Sequence, residues 1–306
     1  MPRNTSTRTF HLTLPATSAN LGPAFDAAAL AFNLTLKLTA QPAKDFKIAA
    51  TGRDEQICEK LENHLILTTY KEILKAEHKK PVPLALKIKN DMPIGKGCGS
   101  SAAARLAGIA LANHFGKLRW ADARIVGEAS RREHHPDNAS ACWHGGITVA
   151  RMASETEAQV LKIKPKGKWP LLFAIPDATL STEAARRVLP TQYSRTDAVT
   201  NIQNSMLLLG AFMQGRPDLL AASLEDRIHQ PYRAPLCPLL PAAQQLTRAQ
   251  GVLGAALSGA GPSILIFLDP KRNVENSKRA VALHFRKHKL NAELISTEIR
   301  QRGSAR

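Results

Sequence analysis

The stretch VPLALKIKNDMPIGKGCGSSAAARLAGIALANHF constrains this chain more than any other part of it. Its opening alternates, with Leu84, Leu86 and Ile88 on one side, which predicts a strand. Its end is rich in alanine and leucine and carries Leu106, Ile109 and Ala110 on one side, which predicts a helix with Ser100 and Ser101 in its first turn. Between the two, Gly95, Gly97 and Gly99 alternate with other residues. Residues without side chains let successive backbone N–H groups approach an anion, and the following helix points its positive end at the same place. A phosphate chain suits this arrangement, while a glycine turn that merely ends a strand is the other reading of the loop alone. The loop is not a Walker A sequence, which needs GK followed by Ser or Thr, nor a GxGxxG dinucleotide fingerprint.

The rest of the sequence gives an α+β fold class. FHLTL, LTLKLTA, LLFAIP, SILIFL and AELISTEI read as strands. ENHLILTTYKEILKAEHK, a long segment from Asp197 and NVENSKRAVALHFRKHK read as helices, the second with Val199, Ile202, Met206 and Leu209 at amphipathic spacing. A basic, proline-containing segment, KIKPKGKWP, changes the composition and predicts a division into units 1–165 and 166–306. With 306 residues there is length for two modest domains.

Charge and cysteine usage exclude less than they permit. A formal charge of +17 draws in nucleotides, acidic metabolites and nucleic acid alike. Aromatic residues at 5% and the lack of RRM, KH or zinc-finger patterns argue against a nucleic-acid binder. The four cysteines form no CxxC pair, so reduced thiols are expected, with no zinc site and no disulfide framework. No apolar run is long enough to span a bilayer and MPRNTSTRTF lacks the apolar stretch of a leader, from which a cytoplasmic protein is expected.

Further motifs carry chemistry. In PATSANLGPAFD, Asp26 either caps a helix before AAALAF or accepts from an ammonium group, and Asn20 offers both donor and acceptor. HHPDNASACWHGG groups His135, Asp137 and Asn138 ahead of a glycine pair. LSTEAARRVLP and HQPYRAPL contribute Arg186 and Arg233, whose guanidinium forks suit a carboxylate. LSGAGPSILIF places Gly259 and Gly261 just before a strand.

Together with PIGKGCGSSAA, and in this order, these motifs resemble those of the GHMP kinases, most closely the homoserine kinase branch, from about Leu12 to about Phe267. The resemblance implies a two-domain fold, an N-terminal ribosomal-protein-like βαβ domain followed by a C-terminal ferredoxin-like α/β plait. It implies ATP on the loop formed by Pro93, Gly95, Lys96, Gly97, Cys98, Gly99, Ser100, Ser101 and Ala102. L-Homoserine is then expected against Asn20, Asp26, His135, Arg186, Arg233 and Gly259, as a step towards threonine. The implied catalytic set is Asn20, Asp137, Asn138 and Arg186, with Asn138 beside the reacting hydroxyl and Asp137 as the alternative. Mg²⁺ is expected on Ser101 and Glu128, with Glu133 as a competing carboxylate. The resemblance admits a homodimer and implies no nucleic-acid or membrane partner. Another GHMP kinase acting on a different alcohol is the alternative.

Two positions depart from the family pattern, Ala24 where glycine is common and Cys98 where leucine is usual. If position 24 requires φ above zero, its methyl group costs about 1 kcal/mol. Cys98 is expected to alter packing rather than chemistry.

Overall fold

In the computed structural model, which describes residues 9–305, the first half is organised by a single 15-residue strand, β2 (Ala28–Pro42). Residues 1–8, which carry most of the expected leader-free segment, and Arg306 lie outside the described residues. One edge of β2 pairs with β1 (Phe10–Ala19), antiparallel. Its other edge is shared in succession by β5 (Ile147–Met152) and β4 (Leu84–Asn90). Beyond these lie β3 (Lys47–Gly52), parallel to β4, and β6 (Ala158–Ile163), antiparallel to β5. Alternation drives the strands: Leu36, Leu38 and Ala40 are buried while Lys37 is exposed.

Helices α1 (Glu55–Cys58), α2 (Leu65–Ala76), α3 (Ser100–Phe115), α4 (Asp122–Glu133) and α5 (Asp137–His144) complete this unit. The alanines that predict α3 also let it sit deep, with Leu106, Ala107, Ile109 and Leu111 fully buried. Gly108 admits α2, since a methyl group there would lie 2.5 Å from the Ile66 carbonyl.

The second unit is a four-stranded antiparallel sheet in the order β10 (Glu293–Glu298), β7 (Pro170–Ile175), β9 (Ile264–Leu268), β8 (Val252–Leu257). Its helices are α6 (Thr182–Arg187), α7 (Arg195–Gln214), α8 (Leu220–Ser223), α9 (Gln230–Arg233), α10 (Leu239–Gln244) and α11 (Val274–Lys287). The sequence LLFAI of β7 is apolar throughout because both faces are covered. Leu171 and Phe173 pack with Phe212 of α7 and Leu220 of α8, and the Phe173 ring lies 4.8 Å from that of Phe32 on β2. Leu172 and Ala174 pack instead with Leu240 of α10 and with Val281 and Phe285 of α11.

Of the four residues that give α7 its amphipathic spacing, Leu209 packs against the core and the other three face outward. Val199, Ile202 and Met206 are 46%, 63% and 68% exposed, whereas Leu208, Ala211 and Phe212 are buried. The helix carries apolar residues on two sides, and spacing alone does not choose between them. The chain then crosses back: after β10, Ile299 bridges to Phe32 and Ala305 bridges to Thr13. A division at 165/166 therefore leaves residues 299–305 on the other side of the boundary from the sheet that they join. Among the described residues no helix is long and apolar enough to cross a membrane.

Candidate active site

The glycine loop, the α3 and α5 N-termini and the segment before β9 converge on a cleft of about 110 Å³ between the two units. The loop is pressed against that segment. Gly97, at φ +76°, would place a methyl group 2.4 Å from the Ser258 carbonyl, and Ser258 Oγ donates to the Gly97 carbonyl at 2.6 Å. Gly99, at φ +70°, caps α3 so close to Thr17 that a Cβ would sit 1.9 Å from its hydroxyl. At both places only glycine lets the loop approach its neighbours.

Other loop residues do not face the cleft. Cys98 is fully buried, donates from Sγ to the Pro93 carbonyl at 3.0 Å, and is pushed by burial up to about 12, so it stays a thiol. Ala102 and Pro93 are buried supports. The Lys96 ammonium is turned away, bound to the carbonyls of Pro176, Asp177 and Ala178.

On the other wall, residues 20–26 form a tight turn in which Asn20, Leu21 and Asp26 all adopt positive φ. Asn20 holds it: its Nδ2 donates to the Gly259 carbonyl at 2.9 Å and its Oδ1 accepts from the Asp26 N–H at 2.9 Å. The amide thus ties the turn to the segment before β9. Ala24 is not among the positive-φ residues, so the cost foreseen for its methyl group does not arise. Its side chain is buried instead. The Asp26 carboxylate receives Arg186 at 2.9 and 3.0 Å. Burial, reinforced by Asp137, holds Asp26 above the usual aspartate range despite Arg186.

Arg233, on α9, is only 1% exposed and lines the cleft. Its Nε donates to the Ala185 carbonyl at 2.9 Å, and its NH1 reaches the Gly259 carbonyl at 3.3 Å and His229 Nδ1 at 3.2 Å. None of these partners carries a charge. His229 is fully buried and lowered to about 4 by desolvation. It is neutral near pH 7, donates from Nε2 to the Gly22 carbonyl at 2.8 Å, and so offers Nδ1 as an acceptor to the guanidinium. Phe25 stacks on His229 and lies 5.3 Å from the Arg233 guanidinium. Burial chiefly, with Arg186 nearby, lowers the Arg233 pKa against the opposing pull of Asp26 and Asp226.

At the floor, His135 Nδ1 lies 2.5 Å from Asp137 Oδ1, which also accepts the Asn138 N–H. Burial works to lower the His135 pKa, but Asp137, with Asp26 and Glu133 behind it, more than offsets this and raises it. Ligand atoms of Asp26, His135 and Asp137 lie within 4.8 Å of one another, which gathers two carboxylates and an imidazole in one small volume. Asn138 Oδ1 accepts from the Thr17 hydroxyl at 2.7 Å, which fixes the amide over the loop.

The carboxylate at the loop is Glu133, not Glu128. Ser101 Oγ donates to Glu133 Oε1 at 2.7 Å, and Arg105 Nε binds the same oxygen. Glu128 is 5% exposed, is held by Arg131 at 3.1 Å and by Arg132, and does not line the cleft. The reason is helical phase: Glu128 lies on the α4 face that meets arginines, whereas Glu133 ends the helix beside the cleft. A hydroxyl and a carboxylate beside the glycine loop are the hard oxygen donors that Mg²⁺ takes, so the residues fit the ion.

One cavity escaped the sequence motifs. An apolar slot of about 420 Å³ opens beside Gly95, Ser100 and Ser101, walled by Ile66, Ile88, Met92 and Ala104. His64 stands at its edge with Nε2 3.1 Å from the Cys58 carbonyl and with Nδ1 buried and unpartnered. Burial lowers the His64 pKa, so Nδ1 is an acceptor. Its walls come from α2, β4 and α3, and each residue taken singly reads as core.

Comparison with known proteins bears on the whole chain. Residues 64–146 match the family model described as the GHMP kinases N terminal domain, and residues 208–287 match that of the GHMP kinases C terminal. The homoserine kinase of Solibacter usitatus is 40% identical over 294 residues, 96% of each chain. In structure, the homoserine kinase of Cytophaga hutchinsonii superimposes with a TM-score of 0.81 at 22% identity, covering 100% of this chain and 99% of that one. A putative homoserine kinase from Listeria monocytogenes gives 0.76 at 26% identity, covering 97% and 98%.

Proposed function

The chain belongs to the homoserine kinase family of the GHMP kinases, and we propose that its cleft binds L-homoserine between Arg233 and Asp26, beside ATP on the glycine loop. The reaction is ATP plus L-homoserine giving ADP and O-phospho-L-homoserine. The observation that carries the site assignment is Arg233, a buried guanidinium on the cleft wall whose hydrogen-bond partners are all uncharged. A buried cation with no carboxylate among its hydrogen-bond partners calls for an anionic ligand, and an α-carboxylate fits its fork. The carboxylates of Asp26 and Asp137, gathered with His135 in the same cleft, offer acceptors to the α-ammonium.

Phosphoryl transfer needs placement and charge neutralisation more than covalent chemistry. The loop N–H groups from Gly95 to Ser101 and the α3 N-terminus hold the phosphates of ATP. The apolar slot takes the base. Asn138, locked by Thr17, orients the acceptor hydroxyl, and Arg186 is close enough through Asp26 to offset charge developing on the transferred group. Asp137 is engaged by His135 and by the Asn138 N–H, which favours a positioning role over that of a general base. Ser101 and Glu133 would hold Mg²⁺, which when bound neutralises phosphate charge. We place the protein in the cytoplasm, a reducing compartment that suits its four buried free cysteines.

The test is coupled ADP release across hydroxylated amino acids and isoprenoid alcohols. Homoserine should give the highest kcat/KM. Turnover of another alcohol with no response to homoserine would overturn the assignment of the acceptor.

A further inference from the structure

An ammonium group has three N–H donors, and those of Lys96 meet three carbonyls of one tripeptide: Pro176 at 3.0 Å, Asp177 at 2.5 Å and Ala178 at 2.7 Å. A lysine in a glycine-rich phosphate loop is ordinarily read as a phosphate ligand, yet here no donor is left over for one. The tripeptide is the exit of β7. Its carbonyls splay as the strand ends, and a point charge on a long flexible stem can satisfy all of them at once.

The chain beyond the tripeptide gives the contact its meaning. Three residues after Ala178, Ser181 caps α6 by accepting the Ala184 N–H at 3.1 Å. Arg186 of α6 then reaches Asp26, and the Ala185 carbonyl receives Arg233 Nε. Leu180, Thr182 and Arg186 of this arm line the cleft. The arm is otherwise lightly held, for Ala178, Thr179 and Ser181 are exposed. One cation of the nucleotide loop therefore anchors the segment that carries the acceptor-side contacts.

We infer that Lys96 is a positioning residue for the acceptor arm: it latches residues 176–178 to the glycine loop and, through α6, sets Arg186 and the carbonyl that orients Arg233. The inference rests on the reading of the cleft as an amino-acid acceptor site. It makes the two substrates interdependent, because a loop ordered around phosphates holds the latch, and the latch holds the arm.

The experiment uses the full-length protein with Lys96→Met, which keeps length without donors, and Lys96→Arg, which keeps donors. Amide hydrogen exchange of peptides covering residues 177–188, measured without any substrate, should quicken in Lys96→Met and return towards wild type in Lys96→Arg, while residues 103–115 of α3 stay protected. In steady-state assays Lys96→Met should raise the homoserine KM about 10-fold and change the ATP KM by less than about twofold. Unaltered exchange in 177–188 would overturn the latch. So would a rise of about 10-fold in the ATP KM with the homoserine KM unchanged, which is the signature of a phosphate ligand. The exchange measurement judges the latch even if wild-type protein turns over no homoserine, and that second result counts against the acceptor assignment alone.

Discussion

Ser101 Oγ lies 2.7 Å from a carboxylate oxygen of Glu133, across 32 residues of chain. The pair joins the first turn of α3 to the last residue of α4 at the mouth of the phosphate loop. Glu133→Gln should lower kcat by about two orders of magnitude and raise the Mg²⁺ concentration needed for half-maximal rate, since it removes the charged oxygen donor. Glu128→Gln should instead leave the Mg²⁺ dependence alone and lower the melting temperature, because it breaks ion pairs with Arg131 and Arg132 at a buried site. Mg²⁺ titrations of rate for both variants decide it, and a shift in the Glu128 variant alone would reverse the assignment.

Arg233→Ala should raise the homoserine KM about 100-fold with the ATP KM nearly unchanged, the scale expected when one partner of a buried charge-assisted pair is removed. Arg233→Lys keeps the charge but loses the fork, and should recover little of that affinity. Steady-state kinetics with either substrate varied gives both constants. Equal rises in the two KM values would place Arg233 outside the acceptor pocket.

Much of this was legible in the sequence, and the remainder was hidden for identifiable causes. The strand, loop and helix around Gly95–Ser101 fall where alternation and glycine spacing put them, with α3 spanning Ser100–Phe115. That Glu133 and not Glu128 lines the cleft was not legible, because two carboxylates five residues apart on one helix differ in direction and a motif of letters does not give helical phase. Ala24 misled because the turn places its positive φ at Asn20, Leu21 and Asp26 instead. The apolar slot was invisible because it is built from core-type residues on three elements. The contacts of Lys96 were hidden because its partners are backbone carbonyls 80 residues away.

Two buried histidines should titrate on opposite sides of the ordinary value of 6.5. His135 is raised, the pull of Asp137 outweighing burial, and His229 is lowered to about 4 by desolvation. For a raised histidine the stabilisation is complete below 6.5 and fades as pH climbs through its folded value. A lowered one weakens the fold as pH falls from 6.5 towards 4, because only the unfolded chain takes up the proton. Nuclear magnetic resonance of the ring protons should give a midpoint above 6.5 for His135, moving down in Asp137→Asn. His229 should hold its neutral shifts to about pH 4. A His135 midpoint unaffected by Asp137→Asn would remove the ion pair from the account.

Ala104 stands in the wall of the apolar slot one turn into α3. Replacing it by phenylalanine fills space that a nucleoside base would occupy, without touching the loop glycines or the acceptor residues. The ATP KM should rise at least about 10-fold while the homoserine KM changes less than about twofold, since lost volume in a binding cavity is felt by its own ligand. Fluorescent nucleotide titration gives the same answer without turnover. Unchanged nucleotide affinity would show that the base lies elsewhere.

Gly303 fixes the returning tail against the end of α5, with a methyl group there placed 2.2 Å from the Trp143 carbonyl and 2.5 Å from the Gly145 nitrogen. Ser304 donates its N–H to the same Trp143 carbonyl at 2.8 Å, so the contact is backbone against backbone and cannot yield by turning a side chain. Gly303→Ala should therefore cost about 2 kcal/mol, read as a fall of roughly 5 °C in melting temperature. Because α5 carries Asp137 and Asn138 at its other end, pushing on Trp143 also moves the amide that Thr17 locks. Turnover should fall several-fold even at temperatures where the variant is fully folded, with both KM values less affected. A variant with lowered stability and normal kcat would mean that the tail braces the sheet but not the site.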